Sequence, residues 1–250
     1  MTRDSSERSG ADFFEIRFES IGGLGAHVAG KIVAAAAVLR MNMNGSHFSS
    51  YGSEKKGSVV RSFIRLAPAD RAIRTSAPIE EPDVIVVFHS GLLAHPATLS
   101  GLKAGGTLIF AGNEGDIPDG LAHAPRTAKI IRVDAQKIAF EEHSRENAVL
   151  IGTLAEAVPE LDRQAVLDAL DATFAGKSQK IVAANKRAFM RGGEEVEIVD
   201  GVGQLDSSVP TMQSNPVWGY RTAPIGGVLP VSYTHLRAHE TNCNISYAVL

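Results

Sequence analysis

The segment Ser20-Ile21-Gly22-Gly23-Leu24-Gly25 follows an alternating stretch and opens an Ala-rich one. Glycines in a strand-to-helix turn let backbone approach a phosphate, and the helix start supplies N–H donors and the positive dipole end. A dinucleotide fingerprint would lie at such a place. Two features depart from it. Ser20 holds the first glycine position, and no Asp or Glu lies about 20 residues further on to hold a ribose. That region reads Met41-Asn42-Met43-Asn44-Gly45-Ser46. Gly22, Gly23 and Gly25 therefore stand for a tight turn, for contact with a phosphate group, or for contact with a partner subunit.

A second group is the loop Tyr51-Gly52-Ser53-Glu54-Lys55-Lys56-Gly57, which presents an aromatic, an acid and two lysines between glycines. It could hold an anionic group, dock on a neighbouring subunit, or simply be solvated. His27, His47, His89, His95, His123 and His143 are scattered, with no pair at the i, i+4 spacing of metal ligands. His89 falls at the end of an apolar run, where α/β sites form, although packing or capping is the commoner duty there. Glu80–Glu81, Glu141–Glu142 and Glu194–Glu195 are adjacent pairs, which diverge on a helix and read as solvated faces. No Gly-x-Ser-x-Gly elbow occurs. The motifs give no catalytic residue and no metal site.

The elements that must position these groups follow from periodicity. Phe14, Ile16 and Phe18 alternate onto one face of a strand over 13–20, and Val28, Ile32, Ala35 and Leu39 have helical spacing over 26–40. A short strand is expected at 45–50. Strands at 58–66 and 71–76 flank Pro68–Asp70 as a hairpin. The runs at 84–88, 107–111 and 129–133 suit strands buried on both faces of a parallel sheet. Helical segments are expected at 90–102, 147–157, 163–174 and 178–192, with a closing strand at 194–199. Alternating strands and helices predict a three-layer α/β/α sandwich with a mostly parallel, mixed sheet and a Rossmann-like start.

The chain has 250 residues, 44% hydrophobic and 21% charged, enough for one good core. The net charge of −3 gives no electrostatic case for nucleic acid. No apolar run reaches the roughly 18 residues of a membrane span, and the polar start lacks a secretory pattern, so a cytoplasmic location is expected. Residues 1–12 are expected to be a disordered N-terminus, and 201–230, rich in Gly, Pro and Ser, an extended tail.

Residues 231–250, VSYTHLRAHETNCNISYAVL, resemble a translated sequencing adapter interrupted by an index. They are expected to be non-native, so His235, His239 and Cys243 carry no weight. Cys243 is the one cysteine in the sequence. Setting it aside leaves no thiolate for an iron–sulfur cluster, which usually takes four.

Four motifs now fall into order. Ile21-Gly22-Gly23-Leu24-Gly25 resembles the Gly-Gly-Gln-Gly motif of gamma subunits of pyruvate and other 2-oxoacid:ferredoxin oxidoreductases. Ser50-Tyr51-Gly52-Ser53-Glu54-Lys55-Lys56-Gly57 resembles their Ser-Tyr-Gly-x-Glu-x-Arg-Gly segment. Glu81-Pro82-Asp83-Val84 and Leu102-Lys103-Ala104-Gly105-Gly106 resemble the third and fourth motifs. Ser20 and Leu24 stand where the family has Gly and Gln. The resemblance covers 13–200 and implies a supporting subunit of a complex that converts a 2-oxoacid to an acyl-CoA. It implies thiamine diphosphate, Mg, iron–sulfur clusters and coenzyme A on or with other subunits. The implied partners are alpha, beta and delta (ferredoxin-like) subunits, with ferredoxin or a similar acceptor. The segment 215–227 resembles the lead into a ferredoxin-like module, and the natural chain is expected to continue into one. The competing expectation is a free-standing, nucleotide-dependent oxidoreductase.

Overall fold

The computed structural model describes residues 13–51 and 58–207. The expected N-terminal tail, the loop residues Gly52, Glu54, Lys55, Lys56 and Gly57, the segment 215–227 and the adapter-like end all lie outside the described residues.

The strand β1 (Phe14–Ile21) turns through the glycines into helix α1 (Ala26–Arg40). Then come β2 (Met43–Tyr51), β3 (Val59–Pro68), β4 (Val84–Val87), β5 (Thr107–Ala111) and β6 (Lys129–Val133). Helices α2 (Ala135–Glu141), α3 (Glu146–Ala157), α4 (Arg163–Phe174) and α5 (Gln179–Glu194) follow, and β7 (Val196–Ile198) closes. The sheet order is β2-β3-β1-β4-β5-β6-β7. The pairings β1–β4, β4–β5 and β5–β6 are parallel; β1–β3, β2–β3 and β6–β7 are antiparallel. The α/β class and the mixed sheet thus stand as the periodicity predicts.

The two faces of the sheet are covered differently. Ile16, Phe18, Ile64, Leu66, Val86, Ile109 and Ile131 share one apolar core with residues of all five α-helices. Ile85, Val87, Leu108, Phe110 and Ile130 share another with Leu92, Leu93 and Leu121. These come from short 3-10 turns at Ser90–Ala94 and Asp119–His123; a third such turn is Pro96–Thr98. The expected helix over 90–102 is therefore a pair of 3-10 turns. Pro96 starts the second, and Gly101 sits at φ 77 with its Cα against the Glu80 carbonyl, where a Cβ would lie 1.6 Å away.

The expected hairpin is also different. β3 pairs with β2 across the loop 52–57, in register from Met43↔Pro68 to Tyr51↔Val60. Residues 72–79 carry no regular structure. Asn44 holds the chain after β3, donating through Nδ2 to the carbonyls of Pro68, Ala69 and Arg71 at 3.3, 3.0 and 2.8 Å. The Pro68–Asp70 turn is real, but it leads into this irregular strap rather than a returning strand.

Past β7 the chain stays against the domain. Val199 is buried and its N–H donates to the Ile130 carbonyl, while Leu205 bridges Pro125.

Candidate functional site

The glycine turn is shaped by conformations that side chains resist. Gly23 has φ 105, and Gly25, the residue capping α1, has φ 86. A Cβ on Gly25 would also fall 2.8 Å from the amide nitrogen of Asn147, a buried residue in the first turn of α3. Gly22 and Gly23 are exposed. Ser20, in the position where a fingerprint has glycine, is fully buried and donates through Oγ to the Ile21 carbonyl.

The turn is tied to the second motif. Gly22 N–H donates to the Ser58 carbonyl at 3.0 Å, and Ile21 pairs with Val59. Tyr51, at the end of β2, is 61% exposed beside the start of that loop. The first two motifs, some 30 residues apart by their numbering, therefore meet at one end of the sheet. The other two motifs meet at the opposite end. Lys103 Nζ contacts Asp83 Oδ1 at 3.0 Å, Lys103 N–H donates to the Pro82 carbonyl, and Asp83 Oδ2 accepts from Glu15 N–H at 2.9 Å. These residues lock β1, β4 and β5 together, which is a structural duty.

Under the hairpin lies a polar cluster that sequence reading did not assemble. Ser49 Oγ is 3.1 Å from His27 Nδ1, 3.3 Å from His47 Nε2 and 2.7 Å from Ser62 Oγ. The two imidazoles lie 4.9 Å apart. His47 packs directly on α1 at Gly30, where a Cβ would come within 2.5 Å of the ring. A serine hydroxyl donates once and accepts twice, so one Ser49 can satisfy all three neighbours while the rings stay neutral. Burial, His27 and Lys31 push the His47 ring down to about 3, and burial first, then Lys31, pushes His27 down. The only sequence signal was His27 and His47 themselves; their meeting depends on strand register.

This cluster sets an acid limit on stability. Below the ordinary imidazole value of about 6.5, the unfolded chain takes up the His47 proton and the folded chain refuses it. Stability is then complete above 6.5 and drains as the pH falls toward 3. At pH 5 the loss is about 2 kcal/mol. Urea unfolding at pH 7.5 and 5.0 should show it, and His47→Asn should flatten the dependence above pH 4.5. An unchanged slope in that variant would count against the assignment.

Other expected site residues have plainer roles. His89 is exposed, and its Nδ1 accepts from Gly91 N–H at 3.1 Å, capping a 3-10 turn. Glu141, Glu142 and Glu195 all bind Arg191, at 2.7, 3.0 and 2.5 Å. The adjacent carboxylates are thus ion-pair partners on the helix layer. A depression of about 280 Å3 opens beside the glycine turn, lined by Gly23, Leu24, Gln136, Phe140, Arg145 and Glu146 among others. Among the described residues, no group of three or more His, Cys, Asp or Glu side chains could hold a metal ion. No helix among them is long and apolar enough to cross a membrane.

The fold defines an α/β domain built on a mixed seven-stranded sheet, with the first two motifs at one end of it. Residues 15–195 match the family model described as pyruvate ferredoxin/flavodoxin oxidoreductase. Pyruvate synthase subunit PorC of Thermotoga maritima is 34% identical over 188 residues, 74% of this chain and 95% of the relative. The gamma subunit of NADH-dependent phenylglyoxylate dehydrogenase from Aromatoleum evansii is 32% identical over the same shares of each chain. The crystal structure of the pyruvate oxidoreductase subunit PORC from Thermotoga maritima superposes with a TM-score of 0.65 at 31% identity, covering 76% of this chain and all of that one. The chain belongs to the pyruvate ferredoxin/flavodoxin oxidoreductase family, in which it is a gamma-type subunit.

Proposed function

We propose that this gamma-type subunit uses the glycine turn and the adjoining hairpin loop as its working face within a 2-oxoacid:ferredoxin oxidoreductase complex. The complex would oxidise a 2-oxoacid such as pyruvate, release CO2, form the acyl-CoA and pass two electrons to ferredoxin or a similar acceptor. Thiamine diphosphate with Mg, the iron–sulfur clusters and the coenzyme A chemistry would reside on or with the alpha, beta and delta (ferredoxin-like) subunits, in the cytoplasm. This chain's part is to present Gly22, Gly23 and Gly25, Tyr51 and the loop with Gly52, Glu54, Lys55, Lys56 and Gly57 toward coenzyme A or a neighbouring subunit.

The observation that supports this most is the Gly22 N–H to Ser58 carbonyl bond, which joins two motifs into one surface. Exposed glycines at a helix start, with exposed Tyr51 at the end of β2, suit a phosphate-bearing ligand or a docked chain. Gly25→Ala tests the reading. The left-handed backbone alone costs roughly 1–2 kcal/mol, and Asn147 obstructs the Cβ. CoA-dependent 2-oxoacid oxidation by the assembled complex should fall about tenfold, while Gly176→Ala, with open space around its Cβ, leaves it unchanged. Tight NAD(P)H binding by the isolated chain, with no effect of Gly25→Ala on the complex, would instead favour a free-standing enzyme.

A further inference from the structure

We propose that Phe140, with Leu24 beside it and Arg145 and Glu146 at its rim, is the anchor for a neighbouring subunit of the complex. That subunit would seat the phenyl ring in an apolar pocket flanked by one basic and one acidic side chain. The inference rests on the gamma-subunit reading above and names the chemistry of the partner at that end of the sheet.

Phe140 is 81% exposed, the highest value among the exposed large apolar side chains of the described residues. It rides on α2, whose Ala135, Ile138 and Ala139 are buried in the core. Its ring stands out from the helix while Gly23, Leu24 and Ala139 continue the surface into the depression. A protruding aromatic suits insertion into another protein better than it suits enclosing a small ligand, which needs concave walls.

The charges around it indicate what the partner carries. Nearby, Glu141, Glu142, Arg187, Arg191 and Glu195 are all engaged with one another. Arg145 and Glu146 break this pattern: among the described residues neither has an ion-pair partner of opposite charge from Lys, Arg, Asp or Glu. Burial pushes the Glu146 carboxyl up, and the His89 ring pulls it down only in part. A half-buried carboxylate beside a guanidinium with no ion-pair partner among the described residues gains most from an arriving cation and anion held in fixed positions. An aromatic centre inside such a polar rim has the layout of an interface hot spot.

The test uses the full chain co-expressed with the other subunits of its complex, with affinity read by titrated pull-down and assembly by size-exclusion chromatography. Phe140→Ala and Glu146→Lys should each weaken assembly about tenfold or more, with melting temperatures unchanged. Glu146→Gln should cost less than Glu146→Lys. Leu39→Ala, which trims another apolar side chain that is 68% exposed, should leave assembly unchanged. Wild-type assembly by Phe140→Ala would overturn the proposal, as would an equal loss from Leu39→Ala. So would a Phe140→Ala effect confined to self-association of the isolated chain. Failure of the wild-type chain to join those subunits at all would remove the gamma-subunit reading, and the proposal with it.

Discussion

Replacing Arg17 by Met should cost about 3–5 kcal/mol of folding stability, because it strands a buried carboxylate. Arg17 sits in β1 on the face away from the helices. Its Nη2 donates to the carbonyls of Thr98 at 3.1 Å and Ser100 at 2.7 Å, and its Nη1 to that of Ile79 at 3.4 Å. Its Nε lies 2.9 Å from Glu19 Oε1. Glu19 is 1% exposed, and its other oxygen is held by Arg61 at 3.0 Å. Burial drives the Glu19 carboxyl up, while Arg17 and Arg61 draw it down. Without Arg17, one cation at the rim must serve a carboxylate that water cannot reach, and three carbonyls lose their donor. Urea denaturation measures the loss. The double variant Arg17→Met, Glu19→Leu should recover more than half of it, since no buried charge is left unpaired. Additive losses in the double variant would show that the ion pair is not the cause.

The second large effect is expected where α3 crosses α5. A Cβ on Gly152 would lie 2.0 Å from the Phe189 carbonyl oxygen, and one on Gly192 would lie 2.2 Å from that of Val149. Each helix thus brings backbone against backbone through its glycine. Thr153 Oγ1 donates to the Gly192 carbonyl at 2.5 Å and fixes the approach. Neither carbonyl can retreat without breaking its own helix. Gly152→Ala should therefore destabilise by at least the 1–3 kcal/mol typical of overpacking, although alanine is the better helix former by about 1 kcal/mol. Thermal unfolding of Gly152→Ala and Gly192→Ala would test this. A melting temperature at or above wild type in either would mean that the helices can separate freely.

Neither effect could be read from the sequence, and the reason differs in the two cases. Alternation places Ile16 and Phe18 on the core face of β1 and so sends Arg17 and Glu19 outward, as solvent-facing residues. They are on the outer face, but the strap through Ile79 and the 3-10 turns through Thr98 cover it. Periodicity has no signal for a cover made of irregular chain. The glycines of α3 and α5 look like weak points in two helices until the crossing shows that only glycine fits. The strands at 84–88, 107–111 and 129–133 were legible because short, mainly apolar runs rich in Val and Ile have few alternatives. β2 was legible only as a short strand at 45–50, because the full span MNGSHFSSY is held by register with β3 and by His47 packing on Gly30, both distant in sequence. α2 is short and had no periodicity to announce it. For the site, the glycine turn and Tyr51 were visible as motifs, and their meeting was not. The His27–Ser49–His47–Ser62 cluster depends on the β2–β3 register and on the packing of His47 against α1.

The place of β1 in the middle of the sheet has a consequence for how the domain comes into being. Its antiparallel neighbour β3 and helix α1 lie within the next fifty residues, so this half can pair early and locally. Its parallel neighbour β4 arrives only after the strap and closes a longer loop than β3 does, and β5 and β6 follow it in turn. During synthesis, one edge of β1 is therefore complete while the other still offers unpaired Ile16–Glu19 backbone. That open edge is the vulnerable interval of the nascent chain, when a foreign strand could take the seat of β4.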